Sequence, residues 1–261
     1  MPSGSLTVVG TGYLVAGQVT AEALSAIVGA EKLFHLVSDP ATRRWLESVN
    51  STAESLVDAY AVGKPRHRSY AEMVERMLAP VRRGRDVCAA FYGHPGIFAT
   101  PGHVAVARAR AEGHEAQMLP GVSAEDCLWA DLGVDPGEHG CQSFEASAFV
   151  ARRRPIDPTS ILVLWQIGAV GVTDFRLDAL WSREGLVLLV ERLEESYPPD
   201  HEVVVYEAAQ LPVCEPRIDR LPLRDLAAAR VTVISTLYVP PVAAAPLDPE
   251  MLARLGMAGP G

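Results

Sequence analysis

Apolar runs alternate with amphipathic stretches along the first half of the chain. Short apolar runs lie at 6–9, 33–37, 87–91 and 117–119, each closely followed by Gly, Ser or Pro, as is typical of buried strands. Between them, apolar residues recur at helical spacing. The alternation predicts a mostly parallel sheet covered by helices, with ligands beyond the carboxyl ends of the strands.

Capping residues mark several predicted helix starts. Asp39 followed by Pro40 predicts an N-cap with proline in the first helical position. Ser69 and Glu72 have the spacing of a capping box, which predicts a helix start there. Ser123 precedes another helical pattern and could either cap that helix or bind a ligand.

The second half of the chain is less regular. Apolar runs at 161–165, 203–206 and 231–238 predict strands, and the stretches 186–195 and 223–230 predict helices. Because strands and helices no longer alternate evenly, we expect a mixed sheet here.

The change in pattern predicts two α/β subdomains. We place them at 1–122 and 123–241 and expect them to share a cleft. The remaining residues, 242–261, are rich in Ala and Pro and are predicted to leave the core.

Composition narrows the class of protein. The 261 residues are 49% hydrophobic and 21% charged, without a signal peptide or a run long enough to span a membrane, so we expect a soluble, cytoplasmic protein. A net charge of −9 disfavours nucleic acid as a partner. The cysteines lie far apart, at 88, 127, 141 and 214, so we predict no metal site.

Three glycine-containing loops follow predicted strands. They read GTG at 10–12, YGHPG at 92–96 and PGVS at 120–123. Val15 stands where a dinucleotide fingerprint needs its third glycine, which disfavours a Rossmann-type NAD site. The first two loops, taken singly, are equally compatible with ordinary turns; together the loops predict a ligand pocket.

The segment 60–70 combines phenols with cations. Tyr60, Arg66 and Tyr70 lie close to a predicted helix start, where phenolic and guanidinium groups could converge on a polar substrate atom. The alternative is a solvated basic loop. His67 is better explained as a loop residue than as a base.

The glycine-containing loops resemble those of the tetrapyrrole-methylase family of S-adenosylmethionine-dependent methyltransferases. Longer blocks, VVGTG at 8–12, FYGHPG at 91–96, MLPGVSAEDC at 118–127 and STLY at 235–238, resemble the borosin peptide α-N-methyltransferases. The resemblance covers roughly residues 4–241. It implies a tetrapyrrole-methylase fold, S-adenosylmethionine as cofactor in the cleft between the two subdomains, and iterative methylation of backbone amides in a ribosomally made peptide.

The resemblance also implies roles for individual residues. Arg66 and Tyr70 match the catalytic arginine and tyrosine of the borosin enzymes, and Tyr60 and Tyr92 match tyrosines around the reacting amide. Val57 departs from the pattern, because the fungal enzymes have another tyrosine three positions before Tyr60. The implied cofactor contacts are Tyr92, His94, Ile97, Ser123, Gln166, Ala208, Ser235 and Thr236.

The carboxyl-terminal segment bears on whether the substrate peptide is part of this chain or a separate one. Fungal borosin enzymes carry their substrate peptide after a helical clasp, whereas this sequence ends 20 residues after Pro241. We therefore expect a split system of the bacterial type, with a separate precursor peptide. The resemblance further implies a homodimer, and a heterotetramer when two precursor peptides bind.

Two other functions remain open. A tetrapyrrole, corrin or other small-molecule methyltransferase could share the fold, since a fold does not fix the substrate. A non-catalytic scaffold that binds S-adenosylmethionine or a peptide is the second alternative.

Overall fold

The structure, a computed structural model, describes residues 4–37, 39–172 and 183–257. Within them it contains ten strands and eight α-helices. In chain order these are β1 (Ser5–Gly10), α1 (Ala21–Gly29), β2 (Lys32–Leu36), α2 (Pro40–Val49), β3 (Glu54–Ser55), α3 (Arg66–Val81), β4 (Asp86–Phe91), α4 (Thr100–Ala111), β5 (Glu115–Met118), α5 (Ala124–Leu132), β6 (Cys141–Glu145), α6 (Ala146–Ala151), β7 (Ile161–Trp165), α7 (Arg183–Glu194), β8 (Glu202–Glu207), β9 (Arg217–Pro222), β10 (Thr236–Val239) and α8 (Pro249–Leu255).

The first sheet is parallel, as predicted. Its order is β3-β2-β4-β1-β5, and its neighbouring strands pair in parallel. Alternate residues of β4 face opposite sides: Val87 packs in a core with Met73 and Met77 of α3, whereas Cys88 packs in another with Ile27 of α1. Both faces are covered, so the apolar runs in these strands are nearly continuous.

The second sheet is mixed, which also agrees with the prediction. Its order is β6-β7-β10-β8-β9; β6 and β7 are parallel, whereas β10 is antiparallel to both β7 and β8. The core of this sheet joins Leu164, Val205 and Leu237 to Leu186 and Leu189 of α7. Each sheet therefore has its own hydrophobic core.

The described residues form two compact units that divide after Gly133, not after residue 122 as predicted. The first unit keeps helix α5, whose Cys127 accepts a hydrogen bond at its Sγ from Gln18 Nε2 at 3.3 Å. It also includes Glu207–Arg217 from the second half of the chain. The 120–123 loop therefore lies within the first unit.

Two local predictions were wrong. Helix α3 begins at Arg66, because Pro65 in extended backbone ends the preceding segment, and Ser69 lies buried within the helix instead of capping it. The predicted strand over 231–238 is shorter, because 232–235 forms a hydrogen-bonded turn before β10.

The tail contains a short helix that the sequence did not predict. Helix α8 has no buried residue, and Asp248 accepts a hydrogen bond from the backbone N–H of Met251 at its start. Across the described ranges, no helix has both the length and the apolar character needed to cross a membrane.

Candidate functional site

The three glycine-containing loops meet at the carboxyl ends of β4, β1 and β5, which are adjacent in the first sheet. A Cβ atom added to Gly10 would lie 2.3 Å from the carbonyl oxygen of Gly93 and 3.4 Å from the Cα of Gly121. Gly12 and Gly93 exchange two backbone hydrogen bonds, of 3.3 and 2.9 Å. The loops therefore form one cradle of bare backbone, which we call the glycine cradle (Gly10, Gly12, Gly93 and Gly121).

The second loop is fixed by its histidine. His94 Nδ1 accepts a hydrogen bond from the backbone N–H of Gly96 at 3.0 Å, so Nε2 carries the proton in the neutral ring. Ile97 and Phe98 follow as exposed apolar side chains, with Phe98 at a φ of 52°. This loop therefore presents an apolar edge beside the glycine cradle.

Ser123 in the third loop acts as a helix cap. Its Oγ accepts from the N–H of Asp126 at 3.2 Å and donates to Oδ2 of the same residue at 2.7 Å, while the Ser123 N–H donates to that oxygen at 2.7 Å. Both partners of a capping box are thus present at the start of α5. Of the two roles left open by the sequence, the structure shows the cap, and the contact with a ligand stays a prediction.

The predicted phenols and arginine lie together in the first unit. Arg66 and Tyr70 are four residues apart on α3 and so share a face of the helix. The rings of Tyr60 and Tyr70 meet edge to face, with centroids 6.3 Å apart, and the two hydroxyls are hydrogen-bonded. Tyr92, the first residue after β4, interacts electrostatically with Tyr70 and Arg66.

Burial governs the acidity of two of these phenols. Desolvation raises the pKa of Tyr60, and Tyr70 raises it further, while Arg66 lowers it by less. Desolvation also raises the pKa of Tyr92, against a smaller lowering by Arg66. Both phenols therefore hold their protons more tightly than a free tyrosine does, Tyr92 although 44% of this residue is exposed.

The segment before the first phenol is tied to α3. Arg76 Nη1 lies 2.7 Å from Oδ1 of Asp58, and Lys64 Nζ donates to the carbonyl oxygen of Ala59 at 2.8 Å. These cations hold the two residues directly before Tyr60. Lys64, a cation of the 60–70 segment, thus makes a structural contact, whereas the alternative interpretation was a solvated basic loop. Val57 in the same segment is 37% exposed.

The predicted cofactor residues of the second unit are held by backbone constraints. Gln166 has a φ of 59°, and the next N–H, of Ile167, donates to the carbonyl oxygen of Ser235 at 3.1 Å. Ser235 and Thr236 are buried. The structure thus brings Gln166 and Ser235 close together. Ala208 follows β8 within Glu207–Arg217, which belongs to the first unit.

One aromatic residue at the site was missed by the sequence analysis. Tyr13 contacts Tyr92 edge to face, with ring centroids 6.3 Å apart. Its position directly after the GTG loop was the available signal, since a phenol beside a ligand loop can reach the ligand or its neighbours.

Comparison with protein families and solved structures agrees with this geometry. The family model of tetrapyrrole (corrin/porphyrin) methylases matches residues 5–226. Among solved structures, uroporphyrin-III-C-methyltransferase from Thermus thermophilus superposes with a TM-score of 0.64 at 20% identity, covering 97% of this chain and 96% of that one. The predicted fold is therefore confirmed.

Fungal proteins are similar in sequence. The methyltransferase/ribosomally synthesized cyclic peptide gymnopeptides precursor of Gymnopus fusipes is 47% identical over 243 residues, covering 92% of this chain and 58% of that protein. The corresponding omphalotin A precursor of Omphalotus olearius is 45% identical, covering 97% and 61%. The chain thus spans about three fifths of the length of these relatives.

Proposed function

Because the chain belongs to the tetrapyrrole (corrin/porphyrin) methylase family, whose methyl donor is S-adenosylmethionine, we propose that it methylates backbone amide nitrogens of a peptide. The observation that carries the proposal is the group of Tyr60, Arg66, Tyr70 and Tyr92 in the same unit as the glycine cradle. The names of the similar fungal proteins, which describe a methyltransferase joined to a peptide precursor, support the same substrate class.

The glycine cradle fits a cofactor that approaches the backbone closely. Added Cβ atoms at Gly10 and Gly121 would lie against neighbouring loop backbone, so glycine at these positions lets the three loops pack together with their backbone free of side chains. S-adenosylmethionine, when bound, supplies a methyl group on a positively charged sulfonium. The residues proposed to hold it are Tyr92, His94, Ile97, Ser123, Gln166, Ala208, Ser235 and Thr236.

An amide nitrogen is a poor nucleophile because its lone pair is delocalised into the carbonyl group. The site must therefore accept the N–H proton and stabilise negative charge on the amide oxygen. A phenolate could perform the first task, and neutral hydroxyl donors the second.

The contacts divide these tasks among the phenols. Tyr70 is proposed to accept the proton, because its ring meets that of Tyr60 edge to face and it lies one helical turn from the cation of Arg66 on α3. Tyr60 and Tyr92 are proposed to orient the amide. Because the hydroxyl of Tyr60 is hydrogen-bonded to that of Tyr70, the O–H of Tyr92 is proposed to donate to the amide oxygen.

The decisive experiment is methyl transfer to a peptide followed by fragmentation mass spectrometry. The protein would be incubated with S-adenosylmethionine and the small protein encoded beside its gene, with Tyr70→Phe as the matched control. We expect methyl groups on backbone nitrogens, and far fewer with the control. Methyl transfer only to a tetrapyrrole, corrin or other small molecule would replace the peptide substrate; binding without any transfer would support the scaffold.

The assembly stays a prediction. A separate precursor chain of the bacterial type, a homodimer, and a heterotetramer with two precursor peptides are all testable by native mass spectrometry of the protein with and without the precursor. A monomer at micromolar concentration, or methylation only of a peptide joined to this chain, would contradict these predictions.

A further inference from the structure

We propose that Tyr13 is a positioning residue of the candidate active site, which holds the ring of Tyr92 in place. The inference rests on the function proposed above. The two rings meet at an interplanar angle of 78° with centroids 6.3 Å apart, the edge-to-face geometry that aromatic pairs favour. Tyr92 is the phenol at the junction of the site, because it interacts with Tyr70 and Arg66 on α3 and directly precedes the glycine cradle at Gly93.

The absence of a side chain at Gly93 leaves room for the ring of Tyr13. A Cβ atom added to Gly93 would lie 3.1 Å from Cε2 and 3.4 Å from the hydroxyl oxygen of Tyr13, and Gly93 has a φ of 65°. The Tyr13 ring thus lies against the bare backbone of the second loop. Tyr13 therefore contacts this loop at two successive residues, through the ring of Tyr92 and the backbone of Gly93.

Gln18 fixes the other end of this contact. Its Oε1 accepts hydrogen bonds from the backbone N–H groups of Tyr13 and Leu14, at 2.7 and 3.1 Å, and its Nε2 donates to Cys127 Sγ on α5 at 3.3 Å. One amide side chain thereby ties the first loop to the helix that Ser123 caps. Because Tyr13 is anchored at its backbone, its ring provides a fixed surface against which Tyr92 packs.

We expect the ring of Tyr13, and not its hydroxyl, to hold Tyr92 in position. Burial raises the pKa of Tyr13, and the neighbouring Tyr92 raises it further, so both phenols are neutral and their contact is one of aromatic packing. The side chains that raise the pKa of Tyr13 are those of Tyr92 and Cys127. Its influence on Tyr70 and Arg66 would pass through Tyr92.

The test compares three variants of the first loop in the peptide methylation assay. Tyr13→Leu removes the ring, Tyr13→Phe keeps it, and Val15→Ala controls for disturbance of the loop. Loss of the stabilisation that an edge-to-face aromatic pair provides would lower a rate by roughly three- to tenfold. We expect kcat to fall by about that factor in Tyr13→Leu, and to stay near normal in the other two variants. If Tyr13→Phe loses as much activity as Tyr13→Leu, positioning by the ring is refuted.

A double-mutant cycle separates positioning from a general loss of stability. In a Tyr92→Ala background, Tyr13→Leu should lower kcat no further, because the ring that Tyr13 positions is gone; an equal fall in both backgrounds would overturn the proposal. Gln18→Leu gives a second route should Tyr13→Leu fail to fold. Gln18→Leu keeps the Tyr13 ring but removes the hydrogen bonds that hold its backbone. It should therefore lower kcat in the wild-type background and not in the Tyr92→Ala background.

A readout without activity distinguishes failure of this inference from failure of the proposed function. In protein with ring-labelled tyrosine, the Tyr92 resonance, assigned with Tyr92→Phe, should move in Tyr13→Leu and stay in Val15→Ala. If the resonance moves while the wild-type protein methylates no peptide, the contact stands and the peptide function fails. If it does not move, Tyr13 does not hold Tyr92.

Discussion

The two units hold their predicted site residues in different ways. In the first, the side chains of Tyr60, Tyr70 and Tyr92 interact with one another and with a cation, so this unit carries groups able to move a proton. In the second, Gln166 and Ser235 are held by a left-handed backbone conformation and a main-chain hydrogen bond. The first unit thus has interacting side chains where the second has a constrained backbone, and variants in each unit can test the two separately.

The largest expected effect is the loss of turnover in the first unit. Tyr70→Phe and Arg66→Ala should each lower the methylation rate by about 10²-fold or more, because general-base catalysis contributes on that order. Cofactor affinity, measured by calorimetry, should change little. The matched control is Tyr197→Phe in the second unit, whose buried hydroxyl has no hydrogen-bond partner in the described structure.

The roles assigned to Tyr70 and Arg66 would be disproved by near-normal rates in both variants. A fall in rate that followed a fall in cofactor affinity would instead place these residues in binding. Tyr197→Phe should leave rate and affinity unchanged, since it removes only an unpaired polar group from the core.

Close backbone approaches in the two units give the next largest effect. A Cβ atom at Gly10 would lie 2.3 Å from the Gly93 carbonyl oxygen, and one at Gly168 would lie 2.1 Å from the Thr232 carbonyl oxygen. Gly10→Ala and Gly168→Ala should each lower the free energy of unfolding by roughly 1 to 3 kcal/mol, as overpacking does. Both should weaken cofactor binding in a thermal-shift titration.

Gly29→Ala is the control for these substitutions. Nothing lies within 4 Å of a Cβ atom at Gly29, at the end of α1, so alanine should leave stability unchanged or raise it slightly. Weaker cofactor binding in Gly10→Ala but not in Gly168→Ala would mean that the cofactor depends on the first unit alone.

The sequence predicted the parts of the fold that hydrophobic periodicity determines. The runs in β1, β4 and β7 are apolar because both faces of these strands are buried. These strands could therefore be predicted from the sequence. Strand β3 is only Glu54–Ser55 and is held in part by Arg76, which donates to the Ser55 carbonyl oxygen. Such a strand depends on tertiary contacts and has no periodic signal.

The site was predictable where its residues lie in recognisable loops, and not where it depends on contacts between loops. The motif at 10–12 was found, but the contact of Tyr13 with Tyr92 requires knowing that the first and second loops meet. The extent of the first unit involves contacts of the same kind: Gln18 donates to Cys127 Sγ, and both residues belong to that unit.

A smaller effect is expected at the third loop of the first unit. Ser123→Ala removes the helix cap of α5 and should lower the free energy of unfolding by about 1 kcal/mol, measured by urea denaturation. If capping is its main role, cofactor affinity should remain within a few-fold. A large loss of affinity with unchanged stability would instead assign the hydroxyl to the cofactor.

The smallest expected effect is a pH dependence of stability confined to the first unit. His35 in β2 is buried, its Nδ1 has no hydrogen-bond partner in the described structure, and desolvation lowers its pKa from the usual 6.5, with Arg43 lowering it and Glu47 opposing that change.

Because the folded state then binds a proton less readily than the unfolded state, stability is fully retained above pH 6.5. It should decline as the pH falls from there toward the lower pKa of the folded protein. Urea denaturation between pH 7.5 and about 5 would measure the decline, and His35→Leu should reduce it. Since a leucine side chain does not titrate, any slope that remained in this variant would come from other groups. An unchanged slope would show that His35 does not cause the difference between acid and neutral stability.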